Sequence, residues 1–417
     1  MPDNETIKKT CVELLGEYTA FLDRLIRFES TPGHEGPAME WLYEQFSGLA
    51  DMCEKVTAPE SIVDDPDYSY TLGRLSYKGR PNIRVMLRGD GAGKSVIFNA
   101  HTDVVPPSDG QLRPFDPYIQ DGRMYGRGTS DDKGNVAVLW TMLKAMKKLE
   151  IKPKGDVIFH IVIEEEIGGN GTLAFIRSGD RADCCINIDG GDTGEIHTSV
   201  RGAVWLTCTC YGKAGHSGMP GSTVSALKLT VEAMNIIEEY HNDLLAETID
   251  DDPMFSGMAN PMPVTFGRLE AGDWPAMAPR KAVLKGVFGL LTTPKEQVMQ
   301  EMVERIKTRG SAWLRDNFEM AFEYRHDISR IDPRLPFVEA LARSFENMGV
   351  KPAICAMPAS SDTWFYTNLA NIPAVLTGCG DVVTSHTSTE YVTLDNIATE
   401  AAVMLAFIRD WCGLRKR

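Results

Sequence analysis

The chain has 417 residues, 43 Lys plus Arg against 58 Asp plus Glu, a formal net charge of -15, and 43% apolar and 24% charged residues. Such a composition belongs to a globular protein, and the length exceeds one ordinary core, so two domains are expected. The acidic balance argues against nucleic acid or an anionic membrane as the main partner. No run reaches the roughly 18 apolar residues of a membrane span, and charges break up the N-terminal stretch where a secretory leader needs an apolar core.

In chain order, apolar spacing predicts a helix over 6–28, stopped by Ser30-Thr31-Pro32-Gly33, and a second over Gly36–Leu49. Asn82–Leu87 and Ser95–Asn99 read as strands. Thr129–Leu149 begins polar and continues as an apolar helix. Asp156–Ile163 and Cys184–Ile188 are buried strands. Strands alternating with helices predict an α/β domain, a mostly parallel sheet sandwiched by helices. The texture changes near residue 200. Strand Ala203–Tyr211, helix Val224–Leu245, strands Val264–Leu269 and Ala282–Leu291, helix Pro294–Trp313 and strand Glu319–Tyr324 follow. That order predicts an inserted α+β domain of ferredoxin-like type. Helix Phe337–Met348, strand Ala374–Leu376 and helix Leu394–Cys412 then resume the first pattern, so the expected division is 1–199 with 328–417, and 200–327. Nine scattered cysteines, without thiolate zinc spacing, read as free and mostly buried thiols of a cytoplasmic protein.

Five segments carry unusual ionisable residues, most of them at strand ends, where open α/β sheets bind ligands. Asn99-Ala100-His101-Thr102-Asp103 offers an imidazole for a metal and a carboxylate, Asp103, to orient it. A loop histidine bonded to its neighbour is the competing reading. Gly126–Gly134 contains Asp131, whose carboxylate can bridge two cations or simply cap a helix. Glu164-Glu165-Glu166-Ile167-Gly168-Gly169 is hard to explain by packing, because adjacent like charges bury badly without a cation. One glutamate can ligate while another takes a proton from water. Asp189-Gly190-Gly191-Asp192 reads as a ligand or a turn, and His386 follows a further α/β unit. Together these make two histidines and three carboxylates, the nitrogen and oxygen donor set of a hydrolytic two-metal site, with one glutamate spare.

The order and wording of these segments resemble the M20 metallopeptidase family, over nearly the whole chain. The resemblance implies one metal on His101, Asp131 and Asp189 and another on Asp131, Glu166 and His386, with zinc expected and Mn²⁺ or Co²⁺ as substitutes. It implies Glu165 as general base and a cis peptide at Asp131–Asp132. Gly212-Lys213-Ala214-Gly215-His216-Ser217 is similar to the family's insert motif, which implies that His216 stabilises an oxyanion, usually across a homodimer formed through the insert. The implied reaction is hydrolysis of an amide-type C–N bond in a small molecule, as in N-acyl amino acid deacylases and peptidases.

Three stretches depart from the family pattern. Lys285-Gly286-Val287-Phe288-Gly289 lacks an arginine that grips substrate carboxylates, Ala276-Met277-Ala278-Pro279 lacks an asparagine, and Trp364 stands where some relatives have another arginine. Arg201, Arg268 and Arg280 are candidate substitutes. Trp274, Met277 and Trp364 point to a more apolar substrate, so a non-peptide C–N bond, as in an aromatic amine or ureido compound, is the second expectation. A ligand-binding relative without activity would be expected to lack a ligand or the base, and all six positions are present.

Overall fold

A mixed sheet of nine strands organises the larger part of the chain, in a computed structural model that describes residues 1–219 and 221–417. Across the sheet the strands run Met52–Val56, Asn82–Leu87, Val157–Val162, Val96–His101, Cys185–Ile188, Ala374–Thr377, Glu195–Val200 and Ser329–Arg330, with Ala353–Met357 also paired to Glu195–Val200. The four central strands, Val157–Val162 to Ala374–Thr377, are mutually parallel. The flanking pairs are antiparallel apart from Ala353–Met357. Val96–His101 and Val157–Val162 are buried at every residue, because helices cover both faces. That is why they read as largely apolar runs with only Asn99, His101 and His160 polar.

Helix Lys133–Lys148 packs with the C-terminal helix Leu394–Phe407 over the sheet, and its Trp140 stacks on Phe21 at 4.8 Å. It starts four residues later than the sequence predicts. The N–H groups of Gly128, Ser130 and Asp131 turn instead to the Glu390 carboxylate, at 2.9, 3.1 and 3.3 Å, so Thr129–Asp132 stays a loop. The expected helix over 6–28 is two helices, Asn4–Val12 and Leu15–Ile26, whose buried residues continue one apolar stripe. Strand Glu195–Val200 escaped the sequence reading. Its His197, Thr198 and Ser199 are buried yet polar, which hides the apolar signal of a central strand.

The insert leaves the large sheet between Val200 and Gly202 and returns between His326 and Ser329. Its order is strand Gly202–Tyr211, helix Ala226–Thr248, strands Val264–Ala271 and Lys281–Leu290, helix Lys295–Arg309 and strand Phe318–His326. The four strands form one antiparallel sheet in which Gly202–Tyr211 lies between Lys281–Leu290 and Phe318–His326. Val204, Leu206, Cys208 and Cys210 alternate toward a cluster with Leu229, Ile237, Val298, Met302 and Ile306 of the two helices. This is the ferredoxin-like arrangement. All nine cysteines are free, seven of them buried, and no helix among the described residues is long and apolar enough to cross a membrane.

Candidate metal centre

The parallel strands deliver their side chains to one end of the sheet. His101 is the last residue of its strand, and the three glutamates follow Val157–Val162 next to it. Asp189 follows Cys185–Ile188 and is tied to Thr377 by its own N–H at 2.9 Å. His101 Nε2 lies 3.0 Å from Asp131 Oδ1, 3.5 Å from Asp189 Oδ1 and 4.0 Å from Glu165 Oε2. His386 Nε2 lies 3.2 Å from Asp131 Oδ2 and 3.1 Å from Glu166. Asp131 therefore turns one oxygen to each imidazole. Its peptide to Asp132 is cis. Asp132 also comes within reach of His101 and Asp189. Its oxygens accept the His101 backbone N–H at 2.8 Å and the Asn135 amide at 2.7 Å, so it also anchors the strand end.

The Asp103 carboxylate lies beside His101 but is shared with the backbone. The His101 ring faces the Asp103 backbone carbonyl at 3.0 Å and the carboxylate only at 3.5 Å. The carboxylate oxygens accept the N–H groups of Glu165 at 3.1 Å and Glu166 at 3.0 Å. A short turn leaves exactly these donors without partners, and one carboxylate fixes two consecutive site residues. Glu164, with φ 64°, turns away from the cluster. It meets Arg80 at 2.6 Å, Tyr77 at 2.9 Å and Asn170 at 3.0 Å, while Arg80 also holds Glu35. His386, at φ 61°, is likewise left-handed, which costs a non-glycine residue on the order of 1 kcal/mol. Behind the glutamates, a Cβ on Gly169 would come within 2.3 Å of Asp362 Oδ1, so the turn needs glycine there.

The electrostatics test whether cations fit. Asp131, Glu165, Glu166 and Asp189 crowd together, and none pairs with a lysine or arginine among the described residues. Burial, and then the charge of Asp131, pushes Glu166 up to about 7. Burial and the Asp189 charge push Glu165 well above the usual carboxylate range. Burial works against a charged His101, yet Asp103, Asp131 and Asp189 hold its pKa well above normal. Excess buried negative charge, compensated only by two imidazoles, is what divalent cations relieve, and the nitrogen and oxygen donors suit them. Two groups of donor atoms lie within reach of a shared ion, one of His101, Asp132 and Asp189, the other of Asp131, Glu166 and His386.

A cavity of about 130 Å³ opens over the cluster, lined by Asp131, Glu165, Glu166, Asp189 and His386 together with Met357, Ala359, Ser360, Ser361, Leu376 and Val382. His216 is not among these residues. It is exposed on the insert, where Gly215–His216 pairs with Met277–Ala278 and its Nδ1 accepts the Gly218 N–H at 3.0 Å. Arg268 pairs with Glu270, Arg280 lines a separate groove on the insert, and buried Arg201 donates to the Pro358 carbonyl at 2.8 Å. Sequence reasoning missed Glu390, which besides capping the Asp131 loop binds Arg127 at 2.6 Å. Its donors lie some 260 residues away, so no local pattern marks it.

A model of peptidase family M20/M25/M40 matches residues 97–410. A Bacillus subtilis N-formyl-4-amino-5-aminomethyl-2-methylpyrimidine deformylase is 26% identical over 373 residues, 82% of this chain and 85% of the relative. Among solved structures, the di-peptidase Dug1p of Saccharomyces cerevisiae superimposes with a TM-score of 0.78 at 16% identity, covering 98% of both chains. The Bacillus subtilis YXEP protein, described as a dinuclear metal binding peptidase of the M20 family, gives 0.61 at 13% identity, covering 95% of this chain and 99% of that one.

Proposed function

The chain belongs to peptidase family M20/M25/M40, and from that premise we propose that it is a two-metal amidohydrolase that removes the acyl group from a small N-acylated amine. His101, Asp131 and Asp189 would hold one divalent cation, and Asp131, Glu166 and His386 the other. Zinc is the metal proposed, with Mn²⁺ or Co²⁺ as substitutes. When bound, such a pair supplies Lewis acidity toward a carbonyl oxygen and acidifies water. Glu165 takes the proton of the attacking water and passes it to the departing nitrogen, so the C–N bond breaks without releasing an amide anion. Asp103 fixes the turn that carries base and ligand together. His216 of a second subunit donates to the oxyanion, through a homodimer formed by the insert, 200–327. A cytoplasmic location fits nine free thiols.

The observation that carries the substrate reading is the cavity wall. Serine hydroxyls and apolar side chains line it, and no arginine or lysine does among the described residues. A substrate carboxylate would have no bidentate partner there. An N-acyl amine without a carboxylate suits this wall, in keeping with the deformylase likeness. The test is a panel of N-formyl and N-acetyl aminomethyl heteroaromatics, N-acetyl amino acids, dipeptides and ureido compounds, with Zn²⁺, Mn²⁺ or Co²⁺. Higher kcat/KM for N-acetyl amino acids or dipeptides than for the neutral amides would overturn the substrate reading.

A further inference from the structure

A second cluster of chemically capable side chains lies outside the metal centre and has no part in the proposed reaction. Strands Glu195–Val200 and Ala353–Met357 run parallel, with Cys355 directly opposite His197. Cys355 Sγ stands 3.3 Å from His197 Nδ1. On the ring's other nitrogen, His197 Nε2 faces Glu195 Oε2 at 3.4 Å and makes no hydrogen bond. His197 is only 3% exposed, whereas Cys355 and Glu195 both reach solvent. Burial opposes charging of the imidazole, but Cys355 and Glu195 outweigh it and hold its pKa at about 9.

We propose that Cys355, His197 and Glu195 form an activated-thiol site open to small soft electrophiles, disulfides in particular. The imidazole takes the thiol proton through Nδ1, and the carboxylate on Nε2 stabilises the resulting imidazolium, the arrangement that makes a cysteine nucleophilic. The thiolate sulfur attacks one sulfur of a small disulfide, a Cys355–sulfur bond forms as the old S–S bond breaks, and the leaving half departs as a thiolate that takes up the proton from His197. The donor atoms of the same three residues also lie within reach of one shared ion, but Cys355 and Glu195 face different ring nitrogens of His197, which suits a proton relay better than a common ligand set. The strand carrying Cys355 ends at Met357, in the wall of the catalytic cavity, and a Cβ on Gly191, two residues beyond Asp189, would come within 2.8 Å of His197 Nε2. An adduct at Cys355 therefore forms beside the metal centre.

Cys53, the other partly exposed cysteine, is an internal control, since burial pushes its thiol up. Iodoacetamide labelling of the zinc-loaded full chain at pH 7, mapped by peptide mass spectrometry, is expected to modify Cys355 at least about tenfold faster than Cys53. His197→Asn should remove most of that excess, with an unchanged Cys53 rate showing that the fold persists, and the surface variant Glu195→Gln should reduce it severalfold. Oxidised glutathione should add a single mass increment at Cys355, absent in Cys355→Ser. Equal rates at the two cysteines, or an unaltered Cys355 rate in both variants, would overturn the proposal. So would a zinc equivalent lost in Cys355→Ser, which would make the cluster a metal site.

Discussion

The end of the large sheet and the surface of the insert use ionisable residues in opposite ways. At the sheet end, His101 and acids such as Asp103, Glu164 and Glu390 are buried, share partners and are tied to groups from distant parts of the chain: Glu390 to the backbone of the Asp131 loop, Asp103 to the N–H groups of Glu165 and Glu166, Glu164 to the Arg80 guanidinium. On the insert, charges pair at the surface, as Arg268 with Glu270 and Arg305 with Asp243. Buried groups without partners incur a desolvation cost, whereas exposed ones are solvated by water in either case. Substitution should therefore be costly at the sheet end and mild on the insert.

The largest expected effect tests the base. Glu165→Gln should lower kcat by about 10²–10⁴-fold while leaving metal content, read by elemental analysis, unchanged. A variant that keeps most of its activity would remove Glu165 from the role. Glu390→Ala leaves Arg127 buried without its carboxylate, and a destabilisation of about 3–5 kcal/mol is expected in chemical denaturation. His216→Ala could break the comparison, because it concerns an exposed insert residue. A kcat loss of about 10²–10³-fold is expected, and mixing this variant with Glu165→Gln should restore activity if the histidine works across subunits. Asp103→Asn places an amide where two N–H donors converge, and a loss of about 10–100-fold in activity or metal affinity is expected. Arg268→Ala is the smallest, with a melting temperature shift of no more than about 1 °C expected.

Much of this organisation was legible in one dimension. Largely apolar runs at 95–99, 156–163 and 184–188 announced buried strands, and acids or histidines placed at their ends announced a site at the sheet end. The change to an alternating strand near residue 203 marked the insert. Strand Glu195–Val200 was not legible, because its polar residues are buried by pairing with strands far later in the chain, as His197 with Cys355 and Ser199 with Arg330. The same distance concealed the thiol and imidazole of Cys355 and His197 from each other.

The sequence by itself determined the fold class and which side chains were available for chemistry, since periodicity and residue type are local properties. Only the tertiary structure decided how those side chains meet. It turned the two oxygens of Asp131 toward different histidines, gave the Asp103 carboxylate two backbone N–H groups besides its place next to His101, and brought Glu390 under the Asp131 loop. Such contacts depend on the packing of strands and helices far apart in the chain, where the geometry of the whole, and not the preference of any segment, selects the partner.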